Sequence, residues 1–150
     1  MKLITKLSLG VLLTLTLTGC IGEDYDFSPP EVTLQPADAA QQEKLAEANI
    51  EWSYDEQYNK KTDDIFALAN KQNKLFLQPG ERVQLTLDHG DFKLDGITIY
   101  GWQNNERVTL SYNEEDQSFG APAETGEYVI EVELAADKGQ AQYVGIMVVE

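Results

Sequence analysis

The sequence predicts a mainly β protein, an antiparallel sandwich preceded by a short helical segment and an extended tether. Three observations point there. From Phe76 onward apolar and polar residues alternate with a period of two. Turn chemistry recurs between the alternating runs. The stretch Ala37–Lys74 lacks such a sustained pattern and is richer in helix formers.

The alternating runs come in order. Gln78-Pro79-Gly80-Glu81 is a turn, because proline presets φ and glycine accepts a positive one. Val83, Leu85 and Leu87 then face one side, with Arg82, Gln84 and Thr86 on the other. After the polar loop "DHGDFKLDG", Ile97 and Ile99 oppose Thr98, Tyr100 and Trp102. Asn104-Asn105 suits a two-residue hairpin turn. Val108, Leu110 and Tyr112 form the next apolar set, and the acidic loop "NEEDQS" leads to Phe119. Tyr128, Ile130, Val132 and Leu134 alternate with Val129, Glu131 and Glu133, Asp137-Lys138-Gly139 turns the chain, and Tyr143–Val149 closes as an apolar strand.

Upstream, "ADAAQQEKLAEAN" has helix-favouring composition but a poor apolar stripe, so it predicts at most a short surface helix. Ile50, Trp52 and Tyr54 alternate and predict a strand, and "YDEQYNKK" predicts a loop. Thr62 or Asp63 caps a predicted helix in which Ile65, Leu68 and Ala69 share a face. The acidic, proline-containing "IGEDYDFSPPEVTLQP" reads as tether, since it offers little apolar surface to offset its ordering entropy. The expected divisions are 1–19 signal peptide, 20–36 anchor and tether, 37–74 N-terminal segment, and 75–150 sandwich.

The first twenty residues carry a targeting pattern. Lys2 and Lys6 precede the apolar run Leu7–Leu17, and small residues Thr18 and Gly19 lead to Cys20, the single cysteine. This order is that of a secretory signal peptide, and the run is too short for a permanent membrane span of about 20 residues. Leu17-Thr18-Gly19-Cys20 resembles the lipobox of bacterial lipoproteins. The resemblance implies that the Cys20 sulfur receives a diacylglyceryl group and that the chain is cut just before it. One thiol cannot form an internal disulfide, whereas two acyl chains on one sulfur make a lasting anchor, each buried CH₂ contributing about 0.8 kcal/mol. The expected location is therefore the outer face of the cell membrane.

Charge narrows the partners. The full chain has 11 basic and 26 acidic residues, a net −15; losing Lys2 and Lys6 leaves nine basic residues and a net −17. A body this acidic is repelled by nucleic acid and by anionic headgroups, so no nucleic-acid partner is expected and lipid must provide retention.

"ETGEYVI", Glu124–Ile130, is similar to the D-x-G-x-Y-x-C signature of immunoglobulin-like domains, with Gly126 and Tyr128 in the matching places. The resemblance implies a tyrosine corner, in which the Tyr128 hydroxyl bonds to backbone upstream. Ile130 stands at the cysteine position, so packing replaces the inter-sheet disulfide. Trp102 is the candidate for the core tryptophan of such domains. With "LQPGERVQLTL" and "GQAQYVGIMVVE", the chain resembles exported lipoproteins of Gram-positive bacteria that bear an immunoglobulin-like domain, many without an assigned activity. Residues 75–134 also resemble the sandwich of bacterial proteinase-inhibitor domains.

Chemistry-bearing residues are few. Zinc sites draw on Cys and His, and the chain has Cys20 and His89 alone. A Ser-His-Asp unit would have to use His89, so no catalytic residue is expected. No cofactor is required. Calcium needs oxygen ligands alone, and Asp88, Asp91 and Asp95 in one loop are its candidates; Glu114, Glu115 and Asp116 crowd another. Tyr100 and Trp102 lie opposite Ile97 and Ile99 on their strand, so they form a candidate binding patch unless the N-terminal segment covers them. These features predict a lipid-anchored, non-enzymatic module that binds a protein or cell-wall component. The alternatives are an inhibitor domain presenting the loop 88–96 to a protease, and a small wall hydrolase using paired carboxylates.

Overall fold

A computed structural model describes residues 28–150 and shows two antiparallel sheets packed as a sandwich. The signal-like run, the lipobox and Cys20 lie outside the described residues. The first sheet has the order β2 (Glu43–Lys44), β1 (Val32–Pro36), β6 (Arg82–Leu87), β10 (Ser118–Gly120), β9 (Tyr112–Asn113). The second runs β4 (Gln57–Lys60), β3 (Ala46–Ser53), β12 (Gly139–Val149), β11 (Gly126–Ala136), β7 (Leu94–Gln103), β8 (Glu106–Leu110). β5 (Lys74–Leu77) adds to β12 in parallel, and helix α1 (Ile65–Ala69) precedes it.

Within residues 74–150 the strand order matches an immunoglobulin-type sandwich, with β9-β10-β6 facing β8-β7-β11-β12. The predicted tyrosine corner is present: Tyr128 Oη donates to the Glu124 carbonyl at 2.9 Å. The predicted turns form as well. Gly80 has φ 71°, and Glu81 N–H donates to the Gln78 carbonyl at 3.1 Å. Asn104 and Asn105 both take positive φ, 53° and 63°, as a tight hairpin of matching twist requires.

The core explains the alternation. Val83 and Leu85 of β6, Ile99 of β7 and Tyr128, Ile130, Val132 and Leu134 of β11 fill the space between the sheets. From Tyr143 to Val149 the final strand is apolar because both its faces are covered there. Ala141, Tyr143, Met147 and Val149 enter the main core, while Val144 and Ile146 join Ala48 and Ala69 of α1 in a second cluster.

Four expectations are corrected. The region 20–36 is not tether to its end, because β1 pairs with β6 over Val32–Pro36 and buries Val32 and Leu34. Proline is tolerated at Pro36 because the Ala37 N–H donates to the Arg82 carbonyl at 2.9 Å, which turns the Pro36 nitrogen away from β6, beyond the two residues where β2 pairs. The helix expected within Ala37–Asn49 is instead β2 and the start of β3, since pairing with β12 and burial of Leu45 and Ala48 outweigh helix propensity. The loop expected at "YDEQYNKK" contains β4, an edge strand exposed at every residue and so without an alternation to read. Finally, α1 is capped by Asp64, whose Oδ1 accepts from Ala67 N–H at 2.9 Å. The sandwich thus includes strands from Val32 onward, ahead of residue 75.

Trp102 is not the core tryptophan. The fully buried one is Trp52 on β3, 1% exposed, with the Phe92 ring edge-on at 5.2 Å.

Candidate functional site

The outer face of the second sheet holds the features that matter for recognition. Its residues divide into two regions. Toward the end of β12 that holds Val149, α1 covers Ala48, Val144 and Ile146. Toward the β11–β12 turn the sheet is uncovered, and its twist leaves an open concavity of about 1260 Å³ crossing β4, β3, β12, β11 and β7.

A chain of side-chain hydrogen bonds marks the boundary. Trp102 Nε1 donates to Glu131 Oε2 at 2.6 Å, and Gln142 Nε2 donates to Glu131 Oε1 at 2.7 Å. Asn49 Nδ2 donates to Gln142 Oε1 at 2.5 Å, and Thr62 N–H donates to Asn49 Oδ1 at 2.8 Å. Thr62 Oγ1 also donates to the Ala48 carbonyl at 2.7 Å, which pins the segment entering α1 to β3. The chain spans β7, β11, β12 and β3 and holds the buried Glu131 carboxylate on both oxygens. Such a fully engaged network rigidifies the face.

Glu133, two residues along β11, shares this face and lines the concavity. Its carboxyl is held above the usual glutamate range, first by burial, then by its hydrogen bond to Glu131 and the charge there; Arg107 pulls the other way. Around the concavity stand Lys60, Lys138, Glu51 and Asp95, with Gln140 among the amides between them. The groove therefore sets charges of both signs and amide groups among apolar surface, and suits a ligand that offers hydrogen-bonding groups beside apolar ones.

Tyr100 and Trp102 do lie on the outer face, half-buried. The Arg107 guanidinium sits 4.0 Å from the Tyr100 ring centroid and 5.5 Å from that of Trp102. Phe66 of α1 packs edge-on against Trp102 at 5.3 Å. The two aromatics are thus partly roofed by the helix and by arginine, and they do not form a flat open platform.

The three candidate calcium ligands do not converge. Asp88 Oδ1 accepts from Glu31 N–H at 2.7 Å, Asp91 lies 3.7 Å from His89 Nδ1, and Asp95 lines the groove. Among the described residues, no group of three or more His, Cys, Asp or Glu side chains is placed to hold a metal ion. The loop 88–96 is drawn onto the body: Phe92 contacts Trp52, the His89 ring meets Phe92 at 5.8 Å, and Lys93 N–H donates to Asp137 Oδ1 at 2.8 Å.

Sequence reasoning missed the groove. Gln140, Gln142 and Glu133 look like the solvated side of any strand, and Lys60 looks like loop; only the pairing of β4 and β3 onto β12 brings them to one concave surface. No family model, curated protein or solved structure matches the chain.

Proposed function

We propose that this protein is a lipid-anchored, non-enzymatic binding module on the outer face of the cell membrane, and that the groove across β4, β3, β12, β11 and β7 receives a protein or cell-wall component. The carrying observation is the groove itself, a mixed-charge concavity whose floor residues Asn49 and Gln142 are held by a hydrogen-bonded chain that continues to Glu131 and Trp102 at its border. A rigid floor reduces the ordering cost that a polar ligand must offset. The positive-apolar-small-Cys20 pattern supports the anchor.

The loop 88–96 offers less to the inhibitor reading, because its aromatic side chain, Phe92, packs against the core and Leu94 is already part of β7. One observation favours the hydrolase reading: the raised carboxyl of Glu133 in the groove suits a general acid. Its nearest carboxylate partner, Glu131, is sealed beneath Trp102, so a second carboxylate would have to come from Glu51 or Asp95.

Two measurements test the proposal. Cys20→Ser should move the protein from the membrane to the soluble fraction. A photo-crosslinking residue at Gln140 should capture a component on intact cells that the same residue at Glu106 does not, and Lys60→Glu with Lys138→Glu should abolish that capture. Equal capture from both positions, or turnover of wall glycan lost with Glu133→Gln, overturns the reading.

A further inference from the structure

An open sheet edge invites an extra strand through its row of outward N–H and C=O groups, and natural edges carry devices against this. At the edges formed by β2, β9, β4 and β8 the devices are common ones. β2 and β9 are two residues long. β4 carries exposed Lys60, and β8 carries exposed Glu106 and Arg107. The edge of β5 is different. β5 pairs with β12 on one side, and among the described residues no strand lies on the other. It shows solvent Phe76, at 48% the most exposed large apolar side chain among the described residues. Its one lysine, Lys74, is turned to Glu127 at 2.8 Å, which offsets the charge that would otherwise guard the edge.

Side chains stand where the next strand would be. Gln41 Nε2 donates to the Lys74 carbonyl at 2.8 Å, and the Phe76 N–H donates to Gln41 Oε1 at 3.2 Å. A residue of a parallel neighbour would bond the same way, to the carbonyl before Leu75 and the N–H after it. Just past the strand, the Gln78 N–H donates to Glu81 Oε2 at 2.8 Å. The Gln41 carboxamide is steadied by Glu43, whose Oε1 accepts from Nε2 at 3.1 Å. The strap 37–42 that carries it is tied down at both ends. Ala37 N–H donates to the Arg82 carbonyl at 2.9 Å, and Gln42 Nε2 donates to Gln35 Oε1 at 2.8 Å.

We infer that Gln41 guards a self-complementary edge: its carboxamide occupies the backbone groups of β5 that would otherwise pair with β5 of a second copy of this chain. The register is what points to a second copy. A two-fold axis through Leu75 sets Lys74 opposite Phe76 of the other copy, and Phe76 opposite its Lys74. Each such pair can exchange two N–H···O bonds, and each ammonium then comes beside a phenyl ring. That register needs the Lys74 carbonyl and the Phe76 N–H, the two groups that Gln41 holds. Pairing would make one sheet continuous across two molecules. The net charge of −15 opposes the approach of two copies at a distance, and salt screens it. The guard acts at contact, where screening does not reach. It depends on neither the groove nor the anchor.

The test uses the full chain in detergent, with micelles in large excess, at about 1 M salt, where the Debye length is about 3 Å. Sedimentation reads the mass, and amide exchange reads Phe76. The wild type should stay monomeric, with Phe76 exchange independent of protein concentration. Gln41→Ala with Gln42→Ala removes the amide and loosens the strap. Its Phe76 N–H should exchange about tenfold faster when dilute, then slow again as a dimer forms at higher concentration. Gln41→Ala alone should move both readings the same way by less. Adding Phe76→Lys to the double variant puts like charges on the edge and should restore the monomer. Unchanged exchange at Ile130 and Val132 reports an intact sandwich; if it quickens in the double variant, the same readings on Gln41→Ala alone decide. A variant that stays monomeric with fast Phe76 exchange at every concentration overturns the inference. So does a wild type that dimerises as readily, or a dimer that survives Phe76→Lys.

Discussion

The Trp102 indole N–H lies 2.6 Å from Oε2 of Glu131, a carboxylate only 2% exposed and placed mid-strand on the outer face of a sheet. Burying an ion is unfavourable unless its oxygens are engaged, and here an indole and the Gln142 amide engage them. Trp102→Phe keeps the edge contact with Phe66 but removes the donor, so it should cost about 1.5–3 kcal/mol, the range for a hydrogen bond to a charged group. Glu131→Gln in the same background should recover part of that loss. Urea unfolding of the single and double variants measures both values.

Glu133 gives a pH dependence with a definite sign. Its folded-state pKa is raised, chiefly by burial, so the folded protein holds this proton more firmly than the unfolded chain does. The resulting stability is fully present below the ordinary glutamate value of about 4.3 and is lost as pH rises through the raised value. Glu133→Gln should therefore increase the urea midpoint at pH 7 and leave it nearly unchanged at pH 4. Carboxyl titration by carbon-13 NMR should show Glu133 protonating above the exposed glutamates.

Gly139 closes the β11–β12 turn at φ 140°, and a Cβ there would lie 1.9 Å from the Glu51 carbonyl oxygen of the neighbouring strand. Gly139→Ala combines backbone strain with a clash against main chain that has nowhere to move. It should cost about 3 kcal/mol or more. Gly96→Ala, with open space around the same position and no positive φ, is the matched control and should stay within about 1 kcal/mol. Thermal melting separates the two.

Tyr143→Phe tests the clamp on the entering chain. The hydroxyl bond to the Pro30 carbonyl spans 113 residues of sequence, and burial holds the phenol proton far above its usual range. Its loss should cost about 1–2 kcal/mol. Amide exchange should quicken at Val32–Pro36 before it does in β11.

Much of the sandwich is legible along the chain, and the reason is local. β6, β7 and β11 each bury one face and leave the other more open, so alternation marks them, whereas β8 buries Leu110 alone and leaves Val108 exposed; Gly80 and Asn104-Asn105 carry turn chemistry that needs no tertiary context. The tyrosine corner is likewise readable because Tyr128 and Glu124 are four residues apart. The N-terminal third obeys a different rule. Ala46 and Ala48 have helical propensity, yet a bulge in β3, where Glu47 pairs with Tyr143 and Ile50 with Ala141, turns Ala48 toward α1 and Ile50 toward the core. No periodicity in the sequence announces a change of face in mid-strand. Parity alone puts Tyr100 and Trp102 on the outer face, where both are half-buried. Their roof, Phe66 and Arg107, comes from elements that pair or pack from elsewhere in the chain.

The position of β12 has a consequence for biogenesis. Its one edge is taken by β11, and its other edge is divided between β3, antiparallel over Gly139–Val144, and β5, parallel over Ile146–Val149. The strand that joins these neighbours leaves the ribosome after every one of them, so the second sheet has no centre until synthesis has passed Val149. Closure of this sheet is therefore delayed to its last strand by the order in which its strands are made.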